Sequence, residues 1–208
     1  MSDKLVDKSC VKFADELAAK LSVPGGGGAA AYVGALGVAL GSMVGNFTAG
    51  KPKYAAYEED VQRMLERAEA IRCRLIDLVD EDAQAFFPLS QAYAIPQEDP
   101  RRADVLEQCT KDALAGPFAM MQQICMAIEL LEEMGAKGSR LLISDVGCGA
   151  ALCQAALESA ALNVYINTKG LADRDYAQQI EADCDAMLEE YVPRARKVLE
   201  GVSEEIRG

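Results

Sequence analysis

Apolar side chains recur every three or four positions along nearly the whole chain, and no stretch alternates as a half-buried strand would. Leu5, Val6, Phe13, Leu17 and Leu21 line one face of a helix predicted over Asp3–Leu21. From about Gly28 to Phe47 charge disappears, which predicts a helix buried on all sides. Tyr57–Phe86 is two-sided again: Val61, Leu65, Ala68, Leu75, Val79 and Asp82 follow three- and four-residue steps, with Arg72 the charged interruption. Pro88 is placed to kink or end that helix. After the loop "AIPQEDPRRADV" (Ala94–Val105), another helix is predicted from about Arg101 to Met134, bent near Ala115–Phe118. "GAKGSRLLISDVGCG" interrupts the pattern, with Ser144 or Asp145 as cap of a helix reaching Asn167. A final helix starts near Asp173 and frays by Ile206, with a bend at Pro193. Six or so helices with short connections predict an all-α multihelical bundle, in which long amphipathic helices surround the Gly/Ala-rich one. Residues 1–208 read as one domain without internal repeat or linker.

The glycine-rich stretch Ser22–Tyr54 admits three readings. "GNFTAGKP" (Gly45–Pro52) matches the GxxxxGK of a phosphate loop, but Pro52 stands where Ser or Thr would hold magnesium. The segment before it is helical rather than a strand, so the motif lacks its context. Positions 21–50 carry no charge and are long enough to span a membrane. Their Gly, Ala, Ser, Asn and Thr content, and Pro24 with four glycines, disfavour a span. As a packing helix, Gly34, Gly37, Gly41 and Gly45 share a face with Ala30 and Val38 and admit another backbone closely, from the same chain or a copy. Pro24–Gly28 remains: consecutive glycines at a helix start are either a plain turn or an entrance whose free N–H groups face a ligand.

Composition narrows the chemistry. The chain of 208 residues has a net charge of −12, which argues against nucleic acid and anionic membrane surfaces as partners. A cationic substrate or intermediate suits such a protein. Seven scattered cysteines form no CxxC pair, so free thiols in a reducing cytoplasm are expected and a metal site is not. The charged start "MSDKLVDKSC" does not read as a secretory signal. With no histidine anywhere, acid–base work falls to Asp, Glu, Lys, Tyr, a thiol or water.

"VPGGGGAAAYVGALGVALGSMVGNFTAGKPKY", "LVDEDAQAF" (Leu78–Phe86), "ISDVG" (Ile143–Gly147) and "ALNVYIN" (Ala161–Asn167) occur in order over nearly the whole chain. Together they resemble the cyclodeaminase/cyclohydrolase family, which includes the C-terminal domain of formiminotransferase-cyclodeaminase and stand-alone methenyltetrahydrofolate cyclohydrolases. Two departures stand out. The family usually has a serine where this chain has Gly28, and a lysine or other polar residue where it has Pro52.

The resemblance implies an all-helical homodimer acting on the one-carbon unit between N5 and N10 of tetrahydrofolate, with that folate as substrate and no tightly bound cofactor. The implied reaction is water attack on the methenyl carbon, giving 10-formyltetrahydrofolate. The alternatives are release of ammonia from formiminotetrahydrofolate, or an inactive folate-binding or structural helical dimer. Hydrolysis is the first expectation because no formiminotransferase domain accompanies the sequence. Either reaction needs a proton shuttle and a carboxylate facing a cation. Asp82 and Asp145 are the candidates. Asp82 lies in line with Leu75, Leu78 and Val79, though it also belongs to the acidic cluster Asp80–Asp82 that a solvated helix face would carry.

Substrate-binding candidates are Pro24, Gly25, Gly26 and Gly27 at the glycine entrance. Asn163 and Asn167, four apart on one helix face, have amides able to read a pterin edge. Lys51, with Lys53 beside it, is placed to hold the glutamate tail, Tyr54 to stack on an aromatic ring, and Ser42 and Asn46 to flank the glycine face.

Overall fold

Helices account for every regular element among the described residues, which in the computed structural model are 4–208. In chain order they are α1 (Cys10–Ala18), α2 (Gly26–Thr48), α3 (Glu58–Ala92), α4 (Arg102–Lys137), α5 (Ile143–Thr168) and α6 (Arg174–Arg207). Three short 3-10 segments, Leu5–Asp7, Pro52–Tyr57 and Arg140–Leu142, lie between them.

The helix ends depart from the periodic pattern where side chains find other partners. The predicted first helix is much shorter, and its proposed start, Asp3, lies outside the described residues. Ser9 caps α1 by accepting the Lys12 N–H, while Leu5 turns inward and its own N–H donates to buried Asp80 at 2.6 Å. α3 continues past Pro88 to Ala92, with Leu89 and Ala92 buried in its last turn. Ile71, not Arg72, fills the core position in the middle of that helix. Neither Ser144 nor Asp145 caps α5: the 3-10 turn at Arg140–Leu142 leads into the helix, leaves Leu142 at the cap position and puts both residues inside the first turn. Asp173 does cap α6, accepting the Tyr176 N–H at 3.1 Å.

α2 sits at the centre, packed on α3, α4 and α5. Its glycine face is used inside the chain. A Cβ on Gly37 would stand 2.9 Å from the Gly149 carbonyl and 2.6 Å from Cys153 Sγ, so α2 and α5 approach backbone to backbone. Gly34 and Gly41 receive Ile124 and Leu131 from α4, and Gly45 meets Leu65 and Met134. Helix glycines cost about 1 kcal/mol each against alanine, a loss offset by this contact. Gly26 lies beside Asn163 while Gly37 lies beside Gly149, so α2 and α5 run antiparallel. α2, α4 and the Arg140–Thr168 segment are long and apolar enough to cross a membrane by length and composition, and about half of each is buried by the other helices. Gly45–Thr48 is the end of a helix, so the phosphate-loop match has no strand before it.

Candidate active site

Four helices converge at one end of the bundle. The chain enters α2 through a cis Val23–Pro24 bond, with Pro24 buried and Gly25 at the cap position without a side chain to cap it. The first turn, Gly26–Gly28, presents its N–H groups at the positive end of the helix. Across from it stand Asp82 and Phe86 of α3, Ala113 and Pro117 of α4, and Asn163, Ile166 and Asn167 of α5. Together with Ser22, Val23 and Gly25–Gly27 they line a cavity of about 210 Å³.

Asp82 is at this cavity because Leu75, Leu78 and Val79 on the same side of α3 are buried in the core. Its carboxylate lies against bare backbone: a Cβ on Gly27 would stand 2.5 and 2.7 Å from the two oxygens. Only glycine permits that approach. Gly116 of α4 comes close on the other side, its Cβ position 3.8 Å from the Asp82 Cα. Burial pushes the Asp82 carboxyl up to about 6, and the Gly28 N–H draws it partly back. Among the described residues, Asp82 is also the one charged residue lining the cavity. A half-buried acid that titrates near neutrality can both take and return a proton.

Asn163 and Asn167 lie one turn apart at the same cavity. Each spends an N–H on its own helix, Asn163 on the Ser159 carbonyl and Asn167 on the Asn163 carbonyl, both at 2.8 Å. Their side-chain oxygens remain as acceptors for a ligand's N–H groups. Gly28 has room for a side chain: its Cβ would meet Val79 at 3.6 Å, an ordinary contact.

The remaining candidates collect at the other end of α2, roughly 33 Å away at 1.5 Å per residue. Tyr54 does not offer a free ring: its hydroxyl accepts the Arg140 N–H at 3.1 Å and Lys53 Nζ lies 5.5 Å from the ring centroid. Lys51 Nζ lies 5.8 Å over the Phe47 ring. Ser42 donates to the Val38 carbonyl of its own helix, and Asn46 is exposed. Asp145 is half-buried in the first turn of α5, roughly 27 Å along that helix from Asn163. Within one chain, then, Asp82 is joined by Gly25–Gly27, Asn163 and Asn167, with Pro24 at their edge, and not by Asp145, Ser42, Asn46, Lys51 or Tyr54.

The sequence reading missed Ser22, Val23, Phe86, Ala113, Pro117 and Ile166. Phe86 was within reach, one turn beyond Asp82 on the same face of α3. The sequence marks Gly116 and Pro117 only as a bend, since nothing local shows that Gly116 meets Asp82.

A glycine helix entrance pressed against a half-buried carboxylate makes this end of the bundle the candidate active site of an all-helical protein. Residues 9–186 match the formiminotransferase-cyclodeaminase family, and the chain belongs to that family. It is 38% identical over 198 residues to methenyltetrahydrofolate cyclohydrolase of Methylorubrum extorquens, spanning 93% of this chain and 95% of that protein. It is 31% identical over 199 residues to formimidoyltransferase-cyclodeaminase of Mus musculus, spanning 94% of this chain but only 37% of that longer protein. The crystal structure of formiminotetrahydrofolate cyclodeaminase from Thermotoga maritima superposes with a TM-score of 0.83 at 31% identity, covering 94% of this chain and 98% of that one.

Proposed function

We propose that the chain is a tetrahydrofolate one-carbon enzyme that hydrolyses 5,10-methenyltetrahydrofolate to 10-formyltetrahydrofolate, with Asp82 as its proton shuttle. The observation that carries this reading is the Asp82 carboxyl, raised to about 6 in a cavity that no cation among the described residues lines. The methenyl group is a cation spread over N5, carbon and N10, so an anionic Asp82 favours its binding. As water attacks the carbon, Asp82 takes one of its protons, and a neutral tetrahedral carbinolamine results. Asp82 then returns that proton to N5 as the C–N5 bond breaks, while the hydroxyl proton leaves to solvent and the formyl group stays on N10. One proton is released overall. The acceptor oxygens of Asn163 and Asn167 suit the N–H edge of a pterin, and the N–H of exposed Gly26 at the helix start suits an electron-rich oxygen. The reading calls for no resident cofactor.

Hydrolysis is preferred because the M. extorquens relative shares more identity over nearly its whole length. Matched length does not separate the two reactions, since the T. maritima cyclodeaminase is also matched over almost all of its chain. In the deaminase reaction the same carboxyl would hand its proton to departing ammonia. Loss of methenyltetrahydrofolate absorbance, measured beside ammonia release from formiminotetrahydrofolate, separates them. Rapid hydrolysis without ammonia release supports the proposal; ammonia release alone replaces it with the deaminase, and neither with the folded protein removes both.

A further inference from the structure

A second pocket, of about 740 Å³, adjoins the Asp82 cavity, and Val23 lines both. One wall is α3, through Asp80, Ala83 and Phe87; the other is the N-terminal arm, through residues that include Lys4, Leu5 and Leu21. The arm is lightly held. No residue of α1 is buried, and its Phe13 meets the Tyr32 ring at a centroid distance of 5.5 Å. Its start is tied to the bundle by the Leu5 N–H, which donates to Asp80 Oδ1.

Asp80 has an oxygen to spare. The residue is 8% exposed, and Oδ2 is closed off from water with no hydrogen-bond partner. Buried carboxylate oxygens are ordinarily paired, and leaving one unpaired is costly. The Leu5 N–H calls for one acceptor, so Oδ2 has no use within the fold. The other charges of the pocket divide simply. Lys8 and Glu16 pair with each other, whereas exposed Lys4 has no ion pair among the described residues. One anion and one cation are thus left over in the same pocket, beside the exposed apolar side chains of Leu21 and Phe87. Lys4 directly precedes Leu5, so its flexible stem can carry the ammonium to a ligand held at Asp80.

We propose that this pocket binds a zwitterion with an apolar body, the chemistry of an apolar α-amino acid. The ligand's ammonium donates to Asp80 Oδ2 as the lightly held Lys4–Asp7 turn gives way, its carboxylate meets Lys4 Nζ, and its side chain lies against Leu21 and Phe87. An amine without a carboxylate leaves Lys4 unused, and an acid without an amine brings a second anion to Asp80. The pocket is separate from the Asp82 cavity, and the proposal does not rest on the folate reading.

Heteronuclear NMR titration of the full chain with L-phenylalanine, 2-phenylethylamine and 3-phenylpropionate tests it. L-phenylalanine should bind with a Kd of about 1 mM or below, shifting the Leu5 and Asp80 amides, and each single-charge analogue should bind at least about tenfold more weakly. Lys4→Ala, at an exposed position, should weaken L-phenylalanine about tenfold and leave 2-phenylethylamine within about twofold. Asp80→Asn keeps an acceptor for the Leu5 N–H and should weaken both amines about tenfold. Should that variant not fold, the Lys4→Ala comparison and the wild-type amide shifts still decide. No binding of L-phenylalanine up to about 10 mM, or equal affinity for 2-phenylethylamine, overturns the proposal. So does binding that Asp82→Asn abolishes and Asp80→Asn leaves intact, since the ligand would then occupy the Asp82 cavity.

Discussion

The two ends of α2 carry the two densest groups of candidate residues, and they are built in opposite ways. At the Gly26 end, backbone does the shaping: bare glycine lets Asp82 sit against the helix start, away from cations and half out of water. At the Thr48 end, side chains are tied down. The Thr48 hydroxyl accepts the Ser139 N–H at 2.8 Å, Tyr54 accepts the Arg140 N–H, and the 3-10 turn fixes the start of α5. Charge is treated differently too. Near the second end Lys137, Arg63, Asp60 and Glu133 are knitted into ion pairs that keep both carboxyls below their ordinary range. Asp82 has no such partner, and desolvation moves it the other way. An acid held down by ion pairs reads as a structural charge; one raised by burial in a cavity is the candidate for proton transfer.

That contrast is broken most sharply by removing the reactive acid. Asp82→Asn should lower turnover by roughly 10²–10³, in the range of a lost general base, without loss of helical circular dichroism. Next is the glycine that admits it. Gly27→Ala puts a Cβ 2.5 Å from the carboxylate and should cost roughly 10- to 100-fold in kcat, as small misplacements of catalytic groups do. Gly25→Ala meets nothing within 4 Å and should stay within about twofold, a difference that separates space from mere helix propensity. At the other end, Lys51→Ala, remote from the Asp82 cavity along α2, should leave both kcat and KM within about twofold. Equal losses in kcat and kcat/KM there would mean that the two ends share the chemistry itself.

The same acid should leave its mark on stability. With its folded value near 6 and its unfolded value near 4, Asp82 holds a proton in the folded state that the unfolded chain has released between those values. Stability therefore falls as pH rises through that window and stays lower above it. Asp82→Asn should raise the unfolding free energy at pH 8 by about 2 kcal/mol, reduced by partial exposure, and change it little at pH 4. Urea titrations at the two pH values check this. The scaffold comparison is smallest: Gly37→Ala, pressed on the Gly149 carbonyl, should destabilise by about 1–3 kcal/mol. Gly45→Ala meets only the flexible ends of Leu65 and Met134 and should be nearly neutral.

Much of the fold was legible because helix periodicity is a local property. The six helices and the apolar α2 followed from spacing, although α2 is not buried on all sides and leaves Leu36 and Phe47 exposed. Asp82 could be set in line with core positions, with a solvated acidic face equally open. The helix ends were less so, since Leu5 leaves the helical pattern for a bond with Asp80, distant in sequence, and Pro88 is tolerated where Leu89 and Ala92 hold the last turn. The site was half legible. Asn163 and Asn167 could be placed on one face, but not the meeting of Asp82 with Gly27 and Gly116, which depends on three helices at once. The grouping of Lys51, Tyr54 and Asp145 with Asp82 followed motif likeness, and motif likeness does not say that roughly 33 Å of α2 separates the first two from Asp82, or that roughly 27 Å of α5 separates Asp145 from Asn163.

The central claim is that Asp82 moves the proton, and the pH dependence of methenyltetrahydrofolate hydrolysis tests it most directly. For the wild-type chain, kcat/KM should fall about tenfold per pH unit below about pH 6, and in Asp82→Asn the residual rate should lose that limb. An acid limb that persists unchanged in Asp82→Asn would assign the proton to another group and contradict the account.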